Sequence, residues 1–79
     1  MELTNALTLN EIPIGATVRV IAVKGRNAIT RRLMEMGVVP GVSITTIKKA
    51  PFGDPLEIRV RGYNLALRHN EATAVEVIA

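Results

Sequence analysis

A chain of 79 residues, 48% of them hydrophobic and 22% charged, has room for one small domain and excludes the large catalytic folds. It holds no cysteine, which removes disulfides, thiolate metal sites and cysteine nucleophiles and suits a reducing compartment. Ten Lys and Arg against seven Asp and Glu leave a net charge of +3, but the only aromatics, Phe52 and Tyr63, are too few for the stacking platforms that grip single-stranded nucleic acid.

No apolar run reaches the roughly 18 residues of a membrane span. The opening Met1-Glu2-Leu3-Thr4 lacks the basic start of a secretory signal, so the expected location is the cytoplasm. Residues 1–6 read as a loose tail. Leu9, Ile12 and Ile14 supply apolar side chains for one end of a core, Asn10-Glu11 suits a short turn, and Gly15 breaks the chain. Val18, Val20 and Ala22 then alternate with Arg19, Ile21 and Val23, a period of two that reads as a strand ending at Lys24-Gly25. Both faces are apolar enough for a central position.

From Asn27 the period changes. Ile29, Leu33 and Met36 fall at i, i+4 and i+7 with Arg31, Arg32 and Glu35 on the other side, which predicts an amphipathic helix of about three turns. Gly37 is placed to close it in the left-handed conformation, with Val38 folding back onto Leu33 as in a Schellman motif. Pro40-Gly41 bars continuation.

Val42 and Ile44 resume the alternation, but the next apolar residue is Ile47, and the slip of one predicts a β-bulge near Thr45-Thr46. Pro51-Phe52-Gly53-Asp54-Pro55 must be a loop. Leu56 to Arg61 alternates without a fault and Tyr63, Leu65 and Leu67 follow, a hairpin with its turn around Gly62-Tyr63. His69-Asn70-Glu71 reads as a turn. Val75 and Val77 form a last strand able to close against the first.

The fold class is therefore mainly β, a small five-stranded barrel with one α-helix inserted between strands 1 and 2, all within a single domain spanning 1–79. Its expected interior is Val18, Val20, Ile44, Ile58, Val60, Leu65, Leu67, Val75 and Val77, capped by Ile29, Leu33 and Met36. A partly open sheet with the helix on one face is the structural alternative.

Candidate chemistry is sparse. The sole histidine, His69, has only Glu71 as a close companion, whereas a closed metal site needs about four ligands. Ser43 lies mid-strand with no base or orienting group. Gly25-Arg26-Asn27 before the helix is friendly to anions but lacks any nucleotide-binding fingerprint. Two features exceed what packing requires. Arg26, Arg31 and Arg32 form a basic surface, and Phe52 sits in a Pro/Gly loop, either folded over the barrel mouth or exposed as an interface anchor. Arg59 and Arg61 share a strand face, diluted by Glu57, which is an incomplete stripe for nucleic acid.

Three motifs in order, Arg31-Arg32-Leu33-Met34-Glu35-Met36-Gly37-Val38-Val39-Pro40-Gly41, then Lys49-Ala50-Pro51-Phe52-Gly53-Asp54-Pro55, then Arg61-Gly62-Tyr63 with Leu65-Ala66-Leu67-Arg68, resemble the ferrous iron transport protein A (FeoA) family over roughly residues 9–78. The resemblance implies an SH3-like barrel with an inserted helix. It also implies a non-enzymatic cytosolic accessory of FeoB, the membrane permease that carries a GTP-binding domain and moves Fe²⁺. Arg26, Arg31 and Arg32 and the loop residues Pro51, Phe52, Gly53 and Asp54 are the expected partner contacts. No tightly bound cofactor is expected; Fe²⁺ or another divalent transition metal would associate weakly, at an interface between two chains or between chain and permease. Nucleic acid is not an expected partner, and a homo-oligomer stays open. The alternatives are a small basic barrel that binds nucleic acid, or an Fe²⁺-responsive sensor or carrier related to the C-terminal domains of iron-dependent repressors. A whole repressor would also need a DNA-binding and a dimerisation region.

Overall fold

Alternation of β-branched and polar residues builds the longer strands of the chain, which a computed structural model describes over residues 7–79. The segment 1–6, read as a tail, lies outside the described residues. The strands are β1 (Leu7–Thr8), β2 (Thr17–Val23), β3 (Ser43–Lys49), β4 (Leu56–Val60), β5 (Tyr63–Leu67) and β6 (Val75–Ile78). They form one antiparallel sheet in the order β1-β6-β2-β3-β4-β5. Helix α1 (Asn27–Glu35) links β2 to β3, and the one-turn helix α2 (His69–Ala72) links β5 to β6.

The expected five-stranded closed barrel is thus corrected to six strands in an open sheet whose edges are β1 and β5. The added strand has only two residues, too short to show a period. Helix α1 follows the second strand for the same reason. The segment 69–71, expected as a turn, is one turn of helix.

The inward positions are the apolar ones. Val18, Val20, Ile44, Ile58, Val60, Leu67, Val75 and Val77 are buried as the alternation requires, joined by Leu9, Ile12, Leu33, Val38 and Leu56, while Leu65, Ile29 and Met36 pack against the core half-buried. Ile14, expected at the core's end, is exposed. The segment around it is held by polar contacts instead: the buried Thr46 hydroxyl donates to Pro13 O at 2.7 Å and Gly15 N–H donates to Thr46 O at 2.7 Å.

Two irregularities bend the sheet. The register of β3 against β4 shifts between Thr46 and Lys48, which makes Ile47 the extra residue, just beyond the expected bulge. A second shift between Val20 and Ala22 of β2 against β6 lets Ile21 leave the alternation, a bulge that the apolar faces of this strand concealed. Bulges of this kind raise local twist and curl a sheet.

Helix α1 ends as its sequence dictates. Val38 N–H donates to Leu33 O at 3.0 Å and Gly37 N–H to Met34 O at 3.0 Å, the paired bonds of a Schellman close, with Gly37 at φ +93°. The Met36 carbonyl, an orphan at the helix end, accepts from the Tyr63 hydroxyl at 2.9 Å. That bond joins α1 to the β4–β5 hairpin. The hairpin turn is Arg61-Gly62, at φ +53° and +89°, rather than Gly62-Tyr63. Two left-handed residues suit a tight loop between right-twisted strands, which frees Tyr63 to pair with Val60.

Two stability measurements check these local arguments. Tyr63→Phe removes one donor from a half-solvated bond and is expected to cost about 0.5–1 kcal/mol in urea unfolding; an unchanged midpoint would deny the phenol any holding role. Near the start of the chain, the Thr8 backbone N–H donates to Glu11 Oε1 at 2.7 Å and its hydroxyl does so at 3.0 Å, and these bonds, the backbone one first, hold the Glu11 carboxyl below its ordinary value. A carboxyl depressed in the folded state stabilises above its unfolded pKa and loses that contribution as pH falls through the folded one. Glu11→Gln should therefore flatten the acid limb of stability against pH, and an unaltered limb would contradict the assignment.

Candidate functional site

The loop between β3 and β4 is built from a proline-initiated turn. Gly53 N–H donates to Ala50 O at 2.7 Å across Pro51-Phe52, Gly53 sits at φ +83°, and Ala50 N–H closes the base on Pro55 O at 3.1 Å. Pro51 fixes the second position of the turn, where its ring angle is already correct. Asp54 Oδ1 accepts the backbone N–H of His69 at 3.1 Å, which ties the loop to α2. Phe52 projects from the tip of this braced turn and is 97% exposed. The sequence left two orientations open, and the exposed one is observed. Fully burying such a ring releases about 1.5–3 kcal/mol, and a turn held at its base loses little freedom when it docks.

The arginines are not equivalent. Arg26 is the N-cap residue of α1 and offers no side-chain cap. Arg31 lines a shallow cleft of about 500 Å³ with Asn27, Thr30, Met34 and Glu35, and Met34 is exposed there. Arg32 instead reaches inward to its partner: its Nε lies 3.0 Å from Glu71 Oε2. Glu71 is 5% exposed, and its other oxygen accepts the Arg68 backbone N–H at 2.9 Å. Arg32 therefore joins α1 to α2, which leaves Arg26 and Arg31 without an ion-pair partner among the described residues.

Nor do the two expected contacts form one cluster. Helix α1 feeds the start of β3 and the Phe52 loop leaves its end; a seven-residue strand spans roughly 20 Å. Arg59 donates to Asn64 Oδ1 at 3.3 Å, and Arg61 lies in the hairpin turn, so the pair expected on one strand face is broken. His69 and Glu71, the closest pair of ligand-type residues, are also separated in role, since the Glu71 carboxylate is already paired. Among the described residues no group of three or more His, Cys, Asp or Glu converges on a point.

Sequence reasoning did not find Glu71 as the link between the helices or Tyr63 as the anchor of a helix end. Arg68-His69-Asn70-Glu71 carries the spacing of an N-terminal helix signal, but Arg68 stands where a Ser or Thr would advertise it.

The FeoA domain family profile matches residues 7–79. The Fe(2+) transport protein A/Fe(2+) transporter FeoB fusion protein of Porphyromonas gingivalis is 37% identical over 71 residues, covering 90% of this chain and 8% of that protein's length. The NMR structure of an FeoA-like protein from Clostridium acetobutylicum superposes with a TM-score of 0.88 at 40% identity, over 98% of this chain and 90% of that one. The crystal structure of FeoA from Stenotrophomonas maltophilia, complexed with zinc and described as a prokaryotic SH3 domain protein, gives 0.81 at 37% identity over 91% and 89%. The neighbours thus support the SH3-like class, with the open sheet described above. No helix among the described residues is long and apolar enough to cross a membrane.

The contrast between adjacent arginines is measurable. Arg32→Ala strands a buried carboxylate and is expected to cost about 1–3 kcal/mol, whereas Arg31→Ala should stay within about 0.5 kcal/mol of the native chain. Equal urea midpoints for the two variants would refute the division of labour.

Proposed function

The chain belongs to the FeoA domain family, and from that premise we propose that it is a cytosolic accessory protein of ferrous iron uptake that docks on FeoB and modulates the permease's assembly or its GTPase-linked transport. The observation that carries this reading is the relative in which transport protein A and transporter FeoB are one polypeptide. Covalent fusion supplies a high effective concentration to two modules that work together.

The geometry favours docking by surface contact. Phe52 is an aromatic side chain held out on a braced loop, and aromatic and Arg anchors dominate interface energetics. Pro51, Gly53 and Asp54 shape that loop, while Arg26 and Arg31 present charge at the far end of β3. Arg32 supports this second contact by fixing α1. Iron associates weakly in this reading, at the meeting of two chains or of chain and permease.

Binding to detergent-solubilised FeoB tests it. Phe52→Ala is expected to weaken affinity at least about tenfold, equivalent to 1.4 kcal/mol, and Arg31→Glu to slow association in a salt-dependent way. Native affinity in both variants would remove these residues from the interface. Micromolar or tighter Fe²⁺ binding by the isolated monomer in anaerobic calorimetry would favour the sensor reading, and nucleic-acid binding that falls steeply with salt would favour the basic-barrel one.

A further inference from the structure

We propose that the free edge of β5 is a self-association surface, on which a second copy of this chain pairs its own β5 antiparallel about Leu65, joining two sheets into one. The inference stands apart from the FeoB reading. It concerns a strand for which the sequence indicates only a hairpin partner.

The turn Arg61-Gly62, with both residues left-handed, is the tight hairpin in which the flanking pair, Val60 and Tyr63, exchanges hydrogen bonds. Alternation along the ladder then turns the N–H and C=O of Tyr63, Leu65 and Leu67 toward β4, and those of Asn64 and Ala66 outward. On that side β5 ends the sheet, and no hydrogen bond among the described residues engages the backbone of Asn64 or Ala66 from there. The next outward amide, Arg68 N–H, is taken by Glu71 Oε1 at 2.9 Å, which sets where the open stretch stops. Protein edges are ordinarily guarded by Lys, Pro, a bulge or shortness. The opposite edge, β1, has two residues. By contrast β5 has five, Tyr63-Asn64-Leu65-Ala66-Leu67, with no charge and no proline. Its register against β4 is unbroken, and Tyr63, Asn64 and Ala66 are exposed.

The strand's own pattern selects a second copy as the occupant. About a two-fold axis at Leu65, Asn64 of one copy stands opposite Ala66 of the other, so each pair joins residues whose polar groups are free. Such pairs exchange both of their bonds, and every open N–H and C=O on the two stretches is satisfied with none left over. A slip of one residue would set these groups against ones already spent on β4. On the core side the same register brings Leu65 against Leu65 and Tyr63 against Leu67 across the axis. Leu65 is half-buried and Tyr63 47% exposed, and this apolar row loses water on pairing. On the outer side Arg59 adjoins Asn64 and Glu57 adjoins Ala66. Each row through the axis therefore reads Arg59, Asn64, Ala66, Glu57, with opposite charges at its ends and no like charges facing. The contact is isologous and closes at two copies.

Sedimentation equilibrium and amide exchange of the full chain, up to about 1 mM, test the pairing. A concentration-dependent dimer is expected. In it the Asn64 and Ala66 amides exchange at least about tenfold more slowly than in dilute solution, while those of Tyr63, Leu65 and Leu67, bonded to β4 in either state, change less. Ala66→Pro deletes an outward N–H at a position where an edge strand accepts proline, and should raise the dimer dissociation constant at least about tenfold. Leu65→Lys and Leu65→Glu each set like charges opposite one another at the axis; either alone should weaken the dimer, and an equal mixture of the two should restore it. The exchange pattern of the native chain decides the matter if a variant unfolds. A chain that stays monomeric throughout, a dimer that the folded variants leave intact, or no recovery on mixing overturns the proposal. Protection of Asn64 and Ala66 that ignores concentration would place another part of the same chain on the edge. Protection that appears only when detergent-solubilised FeoB is added would place a permease segment there, and either result overturns the second copy.

Discussion

The carboxylate of Glu71, 5% exposed between two helices, is the interaction on which the rest of the architecture depends. The sheet does not close through hydrogen bonds, because its edges are the two-residue β1 and the hairpin strand β5. Side chains must hold the open side instead. Glu71 does so with both oxygens, one on the Arg68 backbone and one on Arg32, so α2 is fastened to α1. Left unpaired, a buried carboxylate would lose several kcal/mol of hydration on the order expected for ions taken from water. The Tyr63 bond to Met36 O and the Asp54 bond to His69 fasten the hairpin and the loop in the same manner.

That fastening decides which residues are left for a partner. Arg32 and Asp54 looked like surface contacts in the sequence, yet both face other parts of the chain. Arg31 is next to Arg32 and points elsewhere because adjacent helical residues lie about 100° apart. Phe52 is the opposite case. It belongs to a segment whose polar contacts brace the loop internally and onto α2, while the ring itself touches solvent. A small domain buries a limited share of its apolar surface, but a ring at 97% exposure on a braced turn is more than an incidental remainder.

Much of this was legible because it is local. Period-two runs gave β2 to β6, and Gly37 with Val38 gave the helix end down to the residues that make its closing bonds. What was not legible depends on partners distant in sequence or on elements too short to have a period. Leu7-Thr8 is a strand only because β6 offers an edge. Glu71 caps the start of α2 on the Arg68 N–H, and its second oxygen pairs with Arg32, distant in sequence. In the sequence Thr46 stands out only as part of a bulge, and the burial of its hydroxyl is explained by the bond it donates to the distant Pro13 carbonyl. The candidate site divided in the same way: Phe52 and Arg31 could be picked out, while their separation along β3 could not, since it follows from how the strands are arranged.

The polar groups that are buried are satisfied: among the described residues no buried side-chain nitrogen or oxygen lacks a partner. The outer face of the sheet is likewise self-paired, through Thr17 with Thr45, Arg59 with Asn64 and Asn64 with Glu57. Phe52 stands exposed, and Arg26 and Arg31 keep no ion-pair partner among the described residues. Covering the ring would remove water from apolar surface, and covering the arginines would gain through complementary charge. Ring and arginines stand at opposite ends of β3, and the sheet fixes the distance between them.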